Sequence, residues 1–336
     1  FCAVGDAMVT MTWTERTNPK NVALNAIAWS GSTFVAVGDI EGSGTDALSL
    51  TSPDGVVWIE RSNPLLDKAL RSVVWAQSLG LFCAVGDVFL SNSTHPYIIT
   101  SPNGIDWTAH NSSGESAGLF SVTWNGALFV ATGNIRGGTV AFILTSSDGF
   151  NWTLQIPSPA VAAPLYSVTW GNGLFVAVGG LTGTDAYITT SPDGTTWTRR
   201  NPSVAKNIDL YSVTWSNDKA LFVAVGSADG TDGYILTSTD GVTWTERANP
   251  KNFALNSIIW TGKQFLACGN ADGTDAYIIT SLDGITWAER TNPKNFALNG
   301  ATWDGTRYVL VGAADGTDAY IVTSTDDPDA YIVTSF

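Results

Sequence analysis

The sequence predicts an all-β chain: a seven-bladed β-propeller of four-stranded antiparallel blades, closed into a ring by strands from both chain ends. Three observations carry this. One tryptophan position recurs at Trp13, Trp58, Trp107, Trp152, Trp197, Trp244 and Trp287, and a second at Trp29, Trp75, Trp124, Trp170, Trp215, Trp260 and Trp303. These two series of seven use all 14 tryptophans, at first-series spacings of 43 to 49 residues. A short box recurs six times between apolar runs: SPDGVVW, SPNGIDW, SSDGFNW, SPDGTTW, STDGVTW and SLDGITW, at 52–58, 101–107, 146–152, 191–197, 238–244 and 281–287. A period near 45 residues with four short runs is that of a propeller blade, since a single small sheet cannot bury both faces and must stack on copies of itself.

The unit reads as strand A at 210–215 (LYSVTW), B at 221–226 (LFVAVG), C at 233–238 (GYILTS) and D at 242–247 (VTWTER). Strand B is almost continuously apolar, as expected of a strand covered on both faces. Asp-Gly or Asn-Gly between C and D predicts a two-residue type I′ hairpin, in which both central residues take positive φ. The N-terminal run 11–16 is a D strand without an A strand before it. The C-terminal run supplies A (298–303), B (308–312) and C (319–324) without a D strand after it. Residues 1–16 and 298–336 are therefore expected to form the closing blade of one domain spanning 1–336, which removes free sheet edges. FCAVG at 1–5 is a surplus copy of strand B, and DAYIVTS at 329–335 duplicates 318–324. They leave eight blades as a lesser alternative.

Composition agrees with this class. The 336 residues are 44% hydrophobic and 11% aromatic, with 34 glycines and 13 prolines for turns and only 14% charged residues. No stretch has helical periodicity. A net charge of −14 excludes a nucleic-acid footprint and an anionic membrane surface. No apolar run reaches the roughly 18 residues of a membrane span. No signal peptide is visible, and numbering from Phe1 inside a repeat fits a processed chain or part of a longer one. Cys2, Cys83 and Cys268 occupy B-strand positions and read as small buried hydrophobes. With His95 and His110 the only histidines and no CxxC spacing, no metal site and no cofactor is expected.

The heptads resemble the Asp-box, or bacterial neuraminidase repeat, of sialidase-like propellers. The family pattern is Ser-x-Asp-x-Gly-x-x-Trp; here glycine follows aspartate directly, so the turn is one residue shorter. The resemblance covers six of seven blades and implies fold. It implies little about activity, because the family's boxes are structural and lie away from the active face. On that basis Asp54, Asn103, Asp148, Asp193, Asp240 and Asp283 are expected to order turns, and Trp58, Trp107, Trp152, Trp197, Trp244 and Trp287 to pack over them and between blades. The competing reading of the indoles is an exposed ring that stacks sugars.

A sialidase-like site would need converging arginines, a nucleophilic tyrosine with a glutamate, and an acid–base aspartate. The family's Arg-Ile-Pro segment is absent, and most arginines end outer strands in Glu15–Arg16, Glu60–Arg61, Glu246–Arg247 and Glu289–Arg290, where charge blocks edge pairing. Neither histidine sits in a catalytic context. The expectation is thus a protein that is not an enzyme.

Binding candidates lie on the face that carries the B–C and D–A loops. The B–C turns hold Asp229 and Asp232, Asp272 and Asp275, and Asp315 and Asp318, with shorter forms at Asp46 and Asp185. Two carboxylates per loop are too few for calcium, which takes six to eight oxygens. The D–A loops TNPKNVALN (17–25), ANPKNFALN (248–256) and TNPKNFALN (291–299) are nearly identical and occupy one sector, with Asn252 and Asn295 as candidate contacts. The loops at 111–118, 156–164 and 201–209 and the turn at 88–97 diverge. Recognition commonly sits on such loops. Sequons at Asn92, Asn111 and Asn151 are compatible with glycosylation, least so at Asn151, inside a hairpin.

The leading expectation is a binding or structural assembly module on a secreted, cell-surface or virion structure. Its partners would be other proteins or copies of itself, with glycans as a further possibility and without nucleic acid or membrane insertion. Similar arrays occur in secreted and phage structural proteins. The alternative is a glycan-binding lectin or sialidase-like glycoside hydrolase. A third reading is an assembly factor resembling the photosystem-assembly propellers, whose basic patches are not evident in this chain.

Overall fold

The computed structural model describes residues 11–42, 45–64, 68–88, 96–110, 117–135, 140–157, 162–181, 183, 185–200, 206 and 208–325. These residues form seven four-stranded antiparallel sheets and no helix. In blade 4 the strands are Leu165–Gly171 (A), Leu174–Leu181 (B), Ala186–Ser191 (C) and Thr198–Arg200 (D). The seventh blade consists of Leu298–Trp303, Tyr308–Ala314 and Ala319–Ser324, and Thr14–Arg16 supplies its fourth strand. Thr14 lies opposite Thr323 and Arg16 opposite Ile321, so both chain ends close the ring as the sequence predicts. Cys2, His95, Asn92, Asn111 and the surplus copies at 1–6 and 329–336 lie outside the described residues.

Strand A is innermost. Leu24–Trp29, Lys68–Ala76, Ala117–Trp124, Leu165–Gly171, Leu210–Ser216, Leu255–Trp260 and Leu298–Trp303 each contact the next, and the last contacts the first. The core lies between blades, in seven clusters. In one, Val176, Val178 and Ile188 of blade 4 meet Leu210, Phe222, Ala224, Leu236 and Trp244 of blade 5. Another joins Val309, Val311 and Ile321 of blade 7 to Leu24, Phe34, Leu50 and Trp58 of blade 1. Each blade buries its faces only against two neighbours, so apolar burial favours a closed circle over an open stack. Cys83 and Cys268 are fully buried in this core, and burial pushes the Cys268 thiol up to about 12.

Every strand A carries a β-bulge where register with strand B slips between a leucine and the residue two further on, as between Leu255 and Ser257. Asn25, Arg71, Phe120, Tyr166, Tyr211, Asn256 and Asn299 are the seven unpaired bulge residues. The bulge requires a glycine across from it. A Cβ on Gly269 would lie 1.9 Å from the carbonyl oxygen of Ala254, and one on Gly133 1.8 Å from that of Gly118.

The C–D connection differs from its prediction. Gly55, Gly104, Gly149, Gly194, Gly241 and Gly284 have φ between 70° and 81°, but the Asp or Asn before each does not have positive φ. The box is therefore not a two-residue type I′ hairpin. Thr237 pairs with Thr245, so strand D of blade 5 begins at Thr245 and residues 239–244 form the loop. The side chains of the box, rather than a tight backbone turn, shape it. A two-residue turn with positive φ at both positions does occur at Asn172-Gly173, between A and B of blade 4.

Candidate functional site

The six boxes share one pattern of serine and Asp/Asn hydrogen bonds, and five add an indole bond that Trp287, whose Nε1 has no partner among the described residues, does not make. In blade 4, Ser191 Oγ accepts the Gly194 N–H at 2.8 Å, and Asp193 Oδ1 accepts the N–H groups of Thr195 and Thr196, both at 2.8 Å. The Trp197 Nε1–H donates to the Gly194 carbonyl at 2.9 Å. Asp54, Asp148, Asp240 and Asp283 repeat the carboxylate role, and Asn103 performs it with its amide oxygen. The N–H groups of Val57, Asn151, Thr196 and Thr243 hold the carboxyls of Asp54, Asp148, Asp193 and Asp240 below their usual range. Trp58, Trp107, Trp152, Trp197, Trp244 and Trp287 are 0 to 9% exposed, which leaves no aromatic face of this series for a sugar. The second series is half-buried, and its rings lie against the B-strand aromatics, as Trp29 on Phe34 at 4.2 Å between centroids. Asn151 gives its amide to Asp148 at 2.8 Å.

On the opposite face, the predicted contact residues are bonded to one another. Asp229, Asp272 and Asp315 each use Oδ1 to accept N–H groups two and three residues ahead. Their Oδ2 atoms take the ammonium groups of Lys206, Lys251 and Lys294. Asp232, Asp275 and Asp318 accept the backbone N–H of Asn249, Asn292 and Asn18. Asn252 and Asn295 accept the N–H of Gly230 and Gly273. A tyrosine of the next blade bonds three of the loop asparagines: Tyr97 donates to Asn63, Tyr277 to Asn249 and Tyr320 to Asn292, whereas Leu48 stands at that position beyond Asn18.

Glu15 with Asp315 and Asp318, and Glu289 with Asp272 and Asp275, form two groups of three carboxylates whose oxygens lie within 4.8 Å of one another. Lys294 bonds Glu15 and Asp315, and Lys251 bonds Asp272 and Glu289, so a lysine supplies the positive charge in each. The outer-strand arginines are likewise engaged: Arg16, Arg61, Arg247 and Arg290 donate from Nε to a threonine of strand C. In blade 2, His110 shares this contact with Thr100 at 2.7 Å.

The seven bulge residues form a belt that sequence reasoning missed. They sit where the innermost strands leave the loop face. Asn25, Asn256 and Asn299 belong to blades 1, 6 and 7 and donate to Leu70, Leu298 and Leu24 carbonyls of the next blade at 2.9 to 3.0 Å. Blades 3, 4 and 5 carry Phe120, Tyr166 and Tyr211 instead, in contact at 5.7 and 5.8 Å between centroids. Blade 2 carries Arg71, bonded to Asp39 at 2.7 Å. The signal was available: within the recurrent Leu-x-(Ser/Ala/Gly)-x-x-Trp of strand A, the second position varies most. All seven residues are partly exposed.

Residues 146–296 match the DUF6242 beta propeller domain. No curated protein matches the sequence. Solved structures of similar shape include a selenomethionine-substituted virginiamycin B lyase from Staphylococcus aureus, at a TM-score of 0.69 and 13% identity, with 95% of this chain and 99% of that one covered. A streptogramin B lyase structure is similar at a TM-score of 0.69 and 13% identity, over 96% of this chain and all of that one. At this identity the likeness is one of fold. It corrects the expectation that the chain is not an enzyme. Propellers of this shape include enzymes, so neither the regular blades nor the absence of a familiar triad argues against catalysis.

Proposed function

We propose that this chain is a single, shortened Asp-box propeller that recognises a partner at the axial mouth of its loop face, within a secreted, cell-surface or virion assembly. The observation that carries the reading is the uneven belt. Three bulge residues are the same asparagine, and four are individual: Arg71, Phe120, Tyr166 and Tyr211. Loops and strand ends held by a rigid scaffold are where recognition is placed, and partly exposed aromatics with an arginine are common anchors of a contact. The loop-face aspartates and Asn252 and Asn295 then serve as the frame of that mouth rather than as its contacts. Low charge density, 14% of residues, suits an extracellular or particle surface.

The test returns the four individual positions to the asparagine that other blades carry: R71N, F120N, Y166N and Y211N together. Wild-type protein is expected to register on a glycan array or to self-associate in sedimentation velocity, and the fourfold variant to lose that behaviour. Equal behaviour of the two proteins overturns the reading. Turnover of virginiamycin B is measured in parallel, because the similar folds include lyases; consumption of it by the wild type alone would make the mouth a catalytic site.

A further inference from the structure

Six of the seven C strands carry an aromatic residue four positions before their closing serine: Tyr97, Phe142, Tyr187, Tyr234, Tyr277 and Tyr320. All six are 0 to 1% exposed. Blade 1 alone has Leu48 there. In blades 6 and 7 the ring packs on a phenylalanine of the preceding D–A loop, Tyr277 on Phe253 at 6.0 Å and Tyr320 on Phe296 at 6.4 Å between centroids. The loop before blade 1 is nearly identical in sequence, but Val22 stands in place of that phenylalanine. Both halves of the aromatic pair are thus replaced by smaller side chains at one junction, between blades 7 and 1. The packing does not close over the difference. A cavity of about 100 Å³ remains, with Val22, Ala47 and Leu48 as its buried apolar floor and Lys20, Glu41 and Glu60 as its charged wall. Thr45 and Asp46 complete the lining, and their side chains are already bonded to Gly42 and Asn63. An enclosed apolar cavity of about 150 Å³ accepts benzene; this one opens to solvent past the exposed Glu41 and Glu60, so a ring need not be wholly enclosed.

Blades 5 and 6 show what fills such a frame. Lys206 and Lys251 are each bonded to two carboxylates and lie 5.5 and 6.0 Å over the rings of Tyr234 and Tyr277. The Tyr277 hydroxyl donates to Asn249 and accepts the Lys251 N–H at 3.1 Å. At the junction of blades 7 and 1 the frame is the same, and Leu48 supplies no ring. Lys20 bonds Glu41 at 2.6 Å and lies 3.6 Å from Glu60. Asn18 donates its amide to the Ala319 carbonyl, as Asn249 does to that of Gly233. Its Oδ1 accepts only the Lys20 N–H, at 3.3 Å, among the described residues. From the doubled replacement, the cavity it leaves and the Asn18 oxygen to which Leu48 cannot donate, we infer that this junction binds a phenol ring. The ring lies on Val22 and Leu48 with the Lys20 ammonium over its face, and its hydroxyl donates to Asn18. A cation is attracted to an aromatic face through the ring quadrupole. The carboxylates of the wall match those around Tyr277, so they do not select against a phenol. The ring is carried either by a small phenol or by a tyrosine side chain of a partner. The site lies on the loop face outside the belt and does not depend on the axial mouth.

Ligand-observed magnetic resonance on the full chain, titrated with p-cresol, 4-methylanisole, 4-methylcyclohexanol and Nα-acetyl-tyrosine amide, tests it. p-Cresol is expected to bind saturably with a Kd on the order of millimolar, as suits so small a ligand. The anisole cannot donate a hydrogen bond and the cyclohexanol has no aromatic face, so each should bind at least about threefold more weakly. Tighter binding of the tyrosine amide than of p-cresol assigns the ring to a protein partner, and the reverse to a small phenol. Leu48→Tyr installs the residue of five other blades. It should abolish p-cresol binding and raise the thermal midpoint by about 1–3 °C, because it fills the cavity. Val22→Phe closes the cavity from the loop side and should weaken p-cresol by about tenfold or more. No saturable binding of p-cresol, equal binding of the anisole and the cyclohexanol, or undiminished p-cresol binding in either variant that keeps its thermal midpoint overturns the inference. The fourfold asparagine variant keeps Asn18, Val22 and Leu48 and should bind p-cresol as the wild type does, so failure here and failure of the mouth as a recognition site are read separately.

Discussion

The D–A loops after blades 5, 6, 7 and 1 and those after blades 2, 3 and 4 differ in sequence at a residue that follows strand D. The first four place an asparagine two or three residues after strand D: Asn249, Asn292, Asn18 and Asn63. Each donates its amide to the carbonyl that starts strand C of its own blade. A lysine from the loop before ties the same region to two carboxylates in blades 5, 6 and 7. The other three loops carry Ser112, Pro157 and Pro202 at that position. The innermost belt divides along nearly the same line, amides on one side, Arg71 and aromatics on the other. The lesson is that near-identical repeats mark the part of the ring occupied with holding itself together. The individual blades carry other side chains at those positions, of which Arg71 still ties blade 2 to Asp39 of blade 1.

The comparison breaks first if the inner scaffold itself differs between the two arcs. Gly269 and Gly133 test this, one in each arc, because both face a bulge carbonyl at under 2 Å from a Cβ. Gly269→Ala and Gly133→Ala should each destabilise by on the order of 3 kcal/mol, since the obstacle is backbone and cannot rotate away. Chemical denaturation measures it. A large loss at one position and a small loss at the other would show that the scaffold is not shared, and the division of labour would fall with it.

This glycine also shows how much was legible. The count of blades, the A–D order and the closure by both ends could be read from the tryptophan series and the apolar runs, because burial imposes periodicity. The box was visible, but its conformation was not. Asp-Gly favours a type I′ turn only when backbone preference decides. In this box Ser191 and Asp193 capture four N–H and hydroxyl groups and impose a longer loop. The belt was hidden for a different reason. A bulge residue follows neither strand alternation nor turn chemistry, so Tyr166 and Tyr211 read as ordinary strand aromatics until the register slip is seen. Reciprocal changes such as Pro164 with Gly180 lie 16 positions apart in sequence and are paired only by the sheet.

A smaller effect sharpens the loop comparison. Tyr277 is fully buried; its hydroxyl donates to Asn249 and accepts the Lys251 N–H at 3.1 Å. Tyr277→Phe removes both bonds, leaves Asn249 Oδ1 with the Lys251 N–H at 3.3 Å, and should cost about 1–2 kcal/mol. Tyr187 is the matching residue of blade 4, where Pro157 stands in place of the asparagine and offers no amide. Tyr187→Phe should cost less than half as much in the same thermal melts. Equal losses would mean that the staple contributes nothing beyond the ring's burial, and the stapled loops would then owe their likeness to repetition alone.

The smallest effect concerns an interface inside the individual arc. Thr132 of blade 3 stands where Val37, Val85, Val178, Val225 and Val311 stand in five other blades. Thr132 is fully buried, and its hydroxyl has no hydrogen-bond partner among the described residues. A buried hydroxyl without a partner costs free energy that an isosteric methyl does not. Thr132→Val keeps the volume and should raise stability by about 0.5–1 kcal/mol, read as a higher thermal midpoint. A loss of stability would mean that Thr132 is paired across the blade 3–4 interface through an ordered water, and the hydroxyl would then belong to the structure of the individual arc.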